Sequence, residues 1–545
     1  MKKRHRILSL LLAALLLAGC AASGGTAAQT GAAQTARDLE QIAALGESPD
    51  DAYRTWYEIL VYSFCDSDGD GIGDLNGVTQ KLDYLQGLGV TGIWLLPVGP
   101  SPSYHKYDVM DYTAIDPQYG TMEDFDALLA ACHERGIRLI LDLVVNHSSA
   151  QHPWFTEAAA YLRSLPENAE PDPAECPYVE YYNFVRSDST RPGYNALSGT
   201  GWLYECQFSA DMPDLNWDCD ALREEVRGIM AFWLDKGVDG FRLDAAKEFY
   251  SGAAEKNAGV LAWLQDTARA LDPDAYLVAE VWDSRETIAR YYESGFTSIF
   301  DYPFGNYNGS IIRALRGAGQ ANVVEAYAPA VENTENAYRA ANPDYIGAPF
   351  LSNHDVGRIY GFAVADENRI KLAAAMNLFM GGSAFIYYGE ELGMQGSGDD
   401  PSKRAPMYWN AARDNGTTQP PPGCTLADCP LGSLEEQQDD DSSVYNYYRR
   451  AIAIRRALPV ISHGATTAET ALNRGTVSAL RKTWNGESCL ILYNISEEAA
   501  GVDLSGYTGW TLAASLSVDG GEISLDGTTL QLSAFGAAIL VPEAG

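Results

Sequence analysis

The chain has 545 residues, 46% of them hydrophobic and 20% charged, enough apolar material for large buried cores and for two or three domains. Its 38 basic residues face 73 acidic ones, a formal net charge of −35, which excludes nucleic acid and anionic lipid surfaces as partners and suits a neutral substrate and bound cations. The 32 Tyr and 11 Trp suit a ligand with flat apolar faces, and the 9 cysteines follow no metal-binding spacing.

Lys2, Lys3, Arg4 and Arg6 precede an apolar core from Ile7 to Leu17, too short to span a bilayer comfortably and typical of an export signal. It closes on Leu17-Ala18-Gly19-Cys20, which resembles a bacterial lipobox with cleavage before Cys20 and lipid on its thiol. Residues 1–19 are then the signal peptide. Residues 20–50, rich in Ala, Gly, Ser, Thr and Gln, read as a flexible tether. The expected location is outside a bacterial cell, with the lipid as the only link to the membrane. In an exported chain Cys424 with Cys429, and Cys206 with Cys219, are candidate disulfide pairs.

From Asp51 onward apolar strand-like runs alternate with amphipathic helical stretches. The runs are Tyr57–Phe64, Gly92–Leu96, Arg138–Val145, Gly240–Leu243, Ala275–Glu280, Ser298–Phe300, Ala348–Leu351 and Ala384–Tyr387. Eight βα repeats predict an α/β fold, a parallel (β/α)8 TIM barrel over 51–457. A doubly wound open sheet is the runner-up, but no Gly-rich phosphate loop follows an early run. Residues 148–220 are too long for a simple crossover and read as a subdomain inserted after the third strand. Over 458–545 short alternating runs, punctuated by Asp519-Gly520 and Asp526-Gly527 and closing with Thr529 to Val541, predict a C-terminal antiparallel β-sandwich.

Catalytic groups of such a barrel sit where strands end at its C-terminal face. The stretch Gly240-Phe241-Arg242-Leu243-Asp244 ends the fourth run with an acid, and Arg242, two residues earlier, shares its face. A guanidinium so placed keeps a carboxylate ionised and oriented, as a nucleophile requires. Asp142, Asn146 and His147 follow the third run, Glu280 ends the fifth, and His354 and Asp355 follow the seventh. Asp66-x-Asp68-x-Asp70-Gly71-Ile72-Gly73-Asp74 has the alternating acids of a calcium loop but lacks the bidentate Glu of an EF-hand. Four side chains and the Ile72 carbonyl would hold a structural Ca2+.

Asp142 to His147, Gly240 to Lys247, Glu280-Val281-Trp282 and Leu351 to Asp355 resemble the four signature regions of the α-amylase family of glycoside hydrolases. Met212-Pro-Asp-Leu-Asn-Trp217 resembles its fifth region, in a form intermediate between the oligo-1,6-glucosidase and neopullulanase types. The resemblance spans about residues 53–460 and implies retaining cleavage or transfer of α-glucosidic bonds. It makes Asp244 the nucleophile, Glu280 the general acid and base, with a pKa raised by Asp244 and Asp355, and Asp355 the third acid, which holds sugar hydroxyls. It sets His105, His147 and His354 against the reacting sugar, Tyr107 stacked under it, Lys247 on the leaving-group side, and Asp400 and Arg404 on the next sugar outward. Some relatives bind a cation in the first βα loop, the place of the acidic run. One departure is Glu248, where many α-amylases carry the His whose carbonyl helps hold a calcium between barrel and insertion.

The leading expectation is an exported α-amylase acting on starch and maltodextrins. Asp108 resembles a residue that closes the pocket of exo-acting relatives, which keeps an α-glucosidase, oligo-1,6-glucosidase or maltodextrin transglycosylase as the alternative. A catalytically inactive glucan-binding lipoprotein is the reading from another class. Retention of Asp244, Glu280, Asp355 and Arg242 speaks against it.

Overall fold

Eight short parallel strands form the centre of the computed structural model, which describes residues 38–186, 191–425 and 429–543. They are β1 (Thr55–Ile59), β2 (Gly92–Leu95), β3 (Arg138–Leu143), β4 (Gly240–Leu243), β5 (Tyr276–Ala279), β6 (Ser298–Phe300), β7 (Ile346–Ala348) and β8 (Ala384–Tyr387). Their order is β7-β6-β5-β4-β3-β2-β1-β8, and amides of Ser383 and Phe385 close the ring by donating to Gly347 O and Pro349 O at 2.7 and 2.8 Å. Most of their side chains are buried on both faces, so they read as continuous apolar runs. Trp56, Trp94, Phe300 and Phe385 fill the interior with ring contacts of 4.8 to 6.2 Å.

The first expected run ends early. Val61–Phe64 is a helical turn, because Leu60 leaves the sheet to start the loop that carries the acidic run.

The insertion has its own apolar core around Phe155, Tyr182, Trp202, Tyr204 and Leu222, and a small antiparallel sheet of Phe184–Arg186, Trp202–Glu205 and Tyr194–Ala196. Its last stretch is tied to the end of β3: Leu215 N donates to Asn146 O at 2.9 Å, Ser148 N to Pro213 O at 3.1 Å and Trp217 Nε1 to Val145 O at 3.0 Å. The fifth-region motif therefore forms the hinge by which the insertion hangs over the mouth.

The barrel's last helix, Val444–Ala457, leads through one turn at Val460–His463 into two antiparallel sheets of five and three strands around a separate core. The closing run expected from Thr529 to Val541 is broken in two. Phe535, in the left-handed region at φ 47°, turns the chain from Thr529–Leu532 in the small sheet to Ala537–Pro542 in the large one. Neither disulfide forms: Cys206, Cys219 and Cys429 are thiols, and Cys429 Sγ donates to Leu392 O. No helix of the described residues is long and apolar enough to cross a membrane.

The tether expected over 20–50 does not extend that far. Asp38 caps a short helix, Leu39–Ala43, in a reciprocal capping box with Gln41, and Ile42 is buried. The segment then follows the last barrel helix, where Ser48 Oγ donates to Arg456 O at 2.9 Å and Glu47 meets Arg456 at 3.6 Å. The signal and Cys20 lie outside the described residues.

Candidate active site

The site is assembled on β4. Gly240 starts the strand at φ +144°, and a Cβ there would lie 1.8 Å from Tyr276 O, so only glycine permits the pairing with β5. Register then sets Arg242 beside Asp142 of β3 and Val278 of β5. Arg242 is fully buried over the Trp94 ring, 5.1 Å from its centroid. Its Nη1 donates to Asp244 Oδ1 at 2.6 Å and Asp142 Oδ1 at 2.8 Å, and its Nη2 to Glu280 Oε2 at 2.5 Å. One cation thus joins carboxylates from three strands. Beyond Asp244 the chain passes through Ala245 at φ +44°, an uncommon conformation for alanine, which brings its N–H to Glu280 Oε2 at 3.1 Å.

The second half of the site is built round His354. Its Nδ1 meets Glu58 Oε1 at 2.6 Å, and its Nε2 meets Asp355 Oδ2 at 3.0 Å and the Tyr107 hydroxyl at 2.7 Å. Tyr107 stacks on the His354 ring, 5.3 Å between centroids, and donates to Asp142 Oδ2 at 2.9 Å. Arg404 holds the other oxygen of Asp355 at 2.9 Å while donating to His354 O at 3.1 Å.

The electrostatics follow from burial and these contacts. Burial raises Glu280; Arg242 opposes the rise, and Asp244 and Asp355 add to it. Desolvation thus outranks the like-charge repulsion expected from the sequence. Burial also raises Asp244, against Arg242, and lifts Asp142 to about 7. Asp355 moves the other way: burial opposes its charge, but His354 and Arg404 hold it far below the usual carboxylate range. His354 loses by burial and gains more from Asp355 and Glu58, reaching about 9. Burial lowers His105 and His147 to about 4, so both are neutral rings near pH 7.

The remaining expected site residues are placed as follows. His147 lies under the insertion hinge with its Nε2 buried and unpartnered among the described residues, beside the exposed ring of Phe208 at 5.4 Å. His105 is held by Ser103 Oγ at 3.1 Å. Asp108 is buried and accepts from Ser101 Oγ at 2.6 Å and from Ser103 Oγ. Lys247 Nζ donates to Trp282 O at 3.0 Å, on the Glu280 side. Asp400 stands on the exposed rim bonded to Lys403 at 2.8 Å, and does not join Arg404 at the centre.

In the acidic loop Asp66, Asp68 and Asp74 bring oxygens within 4.8 Å of one another. Asp70 is outside that group, its Oδ1 accepting from Ile72 N at 2.7 Å.

Three residues escaped the sequence reading. Glu58 lay in the middle of an apolar strand, where its acid was itself the signal. Tyr104 donates no sequence signal for its hydroxyl contact with Arg404 Nη1 at 3.1 Å. Tyr302, 3.5 Å from Glu280 Oε1, stacks on Trp282 at 5.2 Å, and Trp282 is 46% exposed.

Comparison with known proteins agrees with this geometry. Residues 58–464 match the family model described as alpha amylase, catalytic domain. The chain is 37% identical to alpha-amylase 3 of Dictyoglomus thermophilum over 457 residues, 81% of this chain and 84% of the relative. It is 31% identical to a probable alpha-glucosidase of Rhizobium meliloti, covering 82% and 90%. Among solved structures, Eubacterium rectale Amy13B superposes with a TM-score of 0.90 at 42% identity, covering 94% of this chain and all of that one.

Proposed function

Because the chain belongs to the α-amylase family of glycoside hydrolases, we propose that it is an exported, lipid-anchored α-amylase that hydrolyses internal α-1,4 bonds of starch and maltodextrins. One observation carries this reading. Arg242 holds the two expected reacting acids on its two arms, and exposed aromatic rings stand on the loops beside them: Phe208 beside His147 after β3, and Trp282 after β5. A pyranose ring has an apolar C–H face that stacks on such rings. Platforms on both sides fit a chain that continues past the cleaved bond in both directions. The α-glucosidase alternative rests on the intermediate form of the fifth region and on Asp108, whose carboxylate accepts from Ser101 and Ser103.

In the double displacement, Glu280 gives its proton to the glycosidic oxygen as Asp244 attacks the anomeric carbon, forming a β-linked glycosyl-enzyme. Glu280, now ionised, takes a proton from water as that water displaces Asp244, and the product keeps the α configuration. Asp355, held ionised by His354 and Arg404, keeps lone pairs for hydroxyls of the flattening ring, and the Nε2 of His147, without a partner among the described residues, is placed to bind another.

Asp66, Asp68 and Asp74 would hold a structural Ca2+ away from these steps. Three converging carboxylates are the hard oxygen donors that ion takes. Cys20 would carry the lipid.

A timed product profile on amylose, pullulan and maltotriose tests the reading. Mixed maltodextrins appearing early from amylose support endo action; glucose alone from the first time point refutes it.

A further inference from the structure

Beyond the acid side of the centre, the loop after β6 presents a second aromatic platform. Tyr307 is 56% exposed, yet it is not loose. The Arg316 guanidinium lies 3.7 Å from its ring centroid, and Arg316 Nη1 donates to Tyr307 O at 3.3 Å. Arg316 Nε donates to Phe362 O at 3.1 Å, and the Phe362 ring meets Tyr307 edge-on at 6.0 Å. The loop is fastened below: Asn306 Nδ2 reaches Tyr302 O at 3.4 Å and Asn306 N donates to Leu351 O at 2.9 Å. Arg316 forms no ion pair with a carboxylate among the described residues, so its charge is given to the ring and to carbonyls.

A large aromatic ring left half in water but fixed on one face and one edge costs little further entropy when something stacks on it. The occupant is indicated by continuity. Tyr307 lies five residues beyond Tyr302, which touches Glu280 and stacks on Trp282, so its backbone stands within about 17 Å of that of Tyr302. Trp282 and Tyr307 therefore follow Glu280 on successive loops of the same rim.

We propose that the free face of Tyr307 binds an α-1,4-glucan chain on the leaving-group side, several glucose units out from the cleaved bond. This rests on the α-glucan reading of the catalytic centre. It makes Tyr307 a residue that sets chain-length preference rather than one that takes part in bond breaking.

The test compares wild type, Tyr307→Ala and Tyr307→Trp on maltotriose and maltoheptaose, with thermal melts to show that each variant is folded. Loss of one stacked ring should lower the ratio of kcat/KM on maltoheptaose to that on maltotriose by about three- to ten-fold in Tyr307→Ala. It should also shift the maltoheptaose cut toward products with fewer units on the leaving side, and Tyr307→Trp should keep both ratio and pattern. A folded Tyr307→Ala with unchanged ratio and pattern overturns the proposal while leaving the catalytic reading intact. A wild type inactive on both sugars overturns the catalytic reading and this one with it.

Discussion

Replacing Glu58 with Gln keeps the shape behind His354 and removes one of the two anions that charge its ring. In the wild type the pKa of His354 stands at about 9 against an ordinary 6.5, although burial works against the charge. That rise amounts to roughly 3 kcal/mol of preference for the charged ring. Against burial, Asp355 contributes most to that charge and Glu58, although nearer at 2.6 Å against 3.0 Å, comes second with a substantial share. The substitution should lower the pKa of His354 by at least about one, a ten-fold change. The sign for stability follows from a folded pKa raised above the unfolded one. Stability from the charged ring is complete below pH 6.5 and is lost as pH rises through about 9; in Glu58→Gln the loss still begins near pH 6.5 but is smaller and is complete about one pH unit lower. Activity is a poor reporter here, because any loss of the Glu280 proton ends acid catalysis by a separate route. The measurement is the imidazole titration of His354 by NMR, with thermal melts from about pH 6 to 10. A His354 that titrates at the same pH in both proteins refutes this account of Glu58.

Glu280→Gln should lose at least about a hundred-fold in kcat with a normal melt, Asp244→Asn more, and NMR of the first products should show the α-anomer; an initial β-anomer rules out the assigned pair. Because burial raises Glu280 and its protonated form is the acid, kcat/KM should fall on the alkaline side at a pH above the ordinary carboxylic value of 4.5, and that limb should vanish in Glu280→Gln. EDTA should lower the melting temperature and Ca2+ restore it, and Asp68→Ala should abolish the response. Asp68 is the better choice over Asp74, whose carboxylate also caps the helix Leu75–Gln80 and would cost about 1 kcal/mol on that ground alone. Export of Cys20→Ser should release the protein into the medium, and recovery of the wild type there in equal amount counts against the anchor.

Much of the centre was legible because barrel chemistry concentrates at strand ends. Asp244, Glu280, His354 and Asp355 each sat just past an apolar run, and the structure brings all four within one network of hydrogen bonds and ion pairs. What escaped was set by closure. Glu58 pairs with His354 across the barrel, 296 residues away, and no local pattern reports such a distance. Asp400 and Asp108 have short-range partners, Lys403 three residues on for the first and two serines for the second. Asp70 has the spacing of the run but stands outside the group in which Asp66, Asp68 and Asp74 converge. Short-range partners of that kind compete with a distant site on equal terms.

The segment from Asp38 to Asp50, bound along the helix Val444–Ala457, has a mechanical consequence. Its contacts run beside the helix: Gly46 closes against Ala457 O, Ser48 bonds Arg456, and the capped turn at Leu39–Ala43 lies farther up. A pull on the chain upstream of Asp38 is therefore taken as shear along the last barrel helix before any of it reaches β1. The stave that carries Glu58, and through it the charge on His354, is relieved of the load.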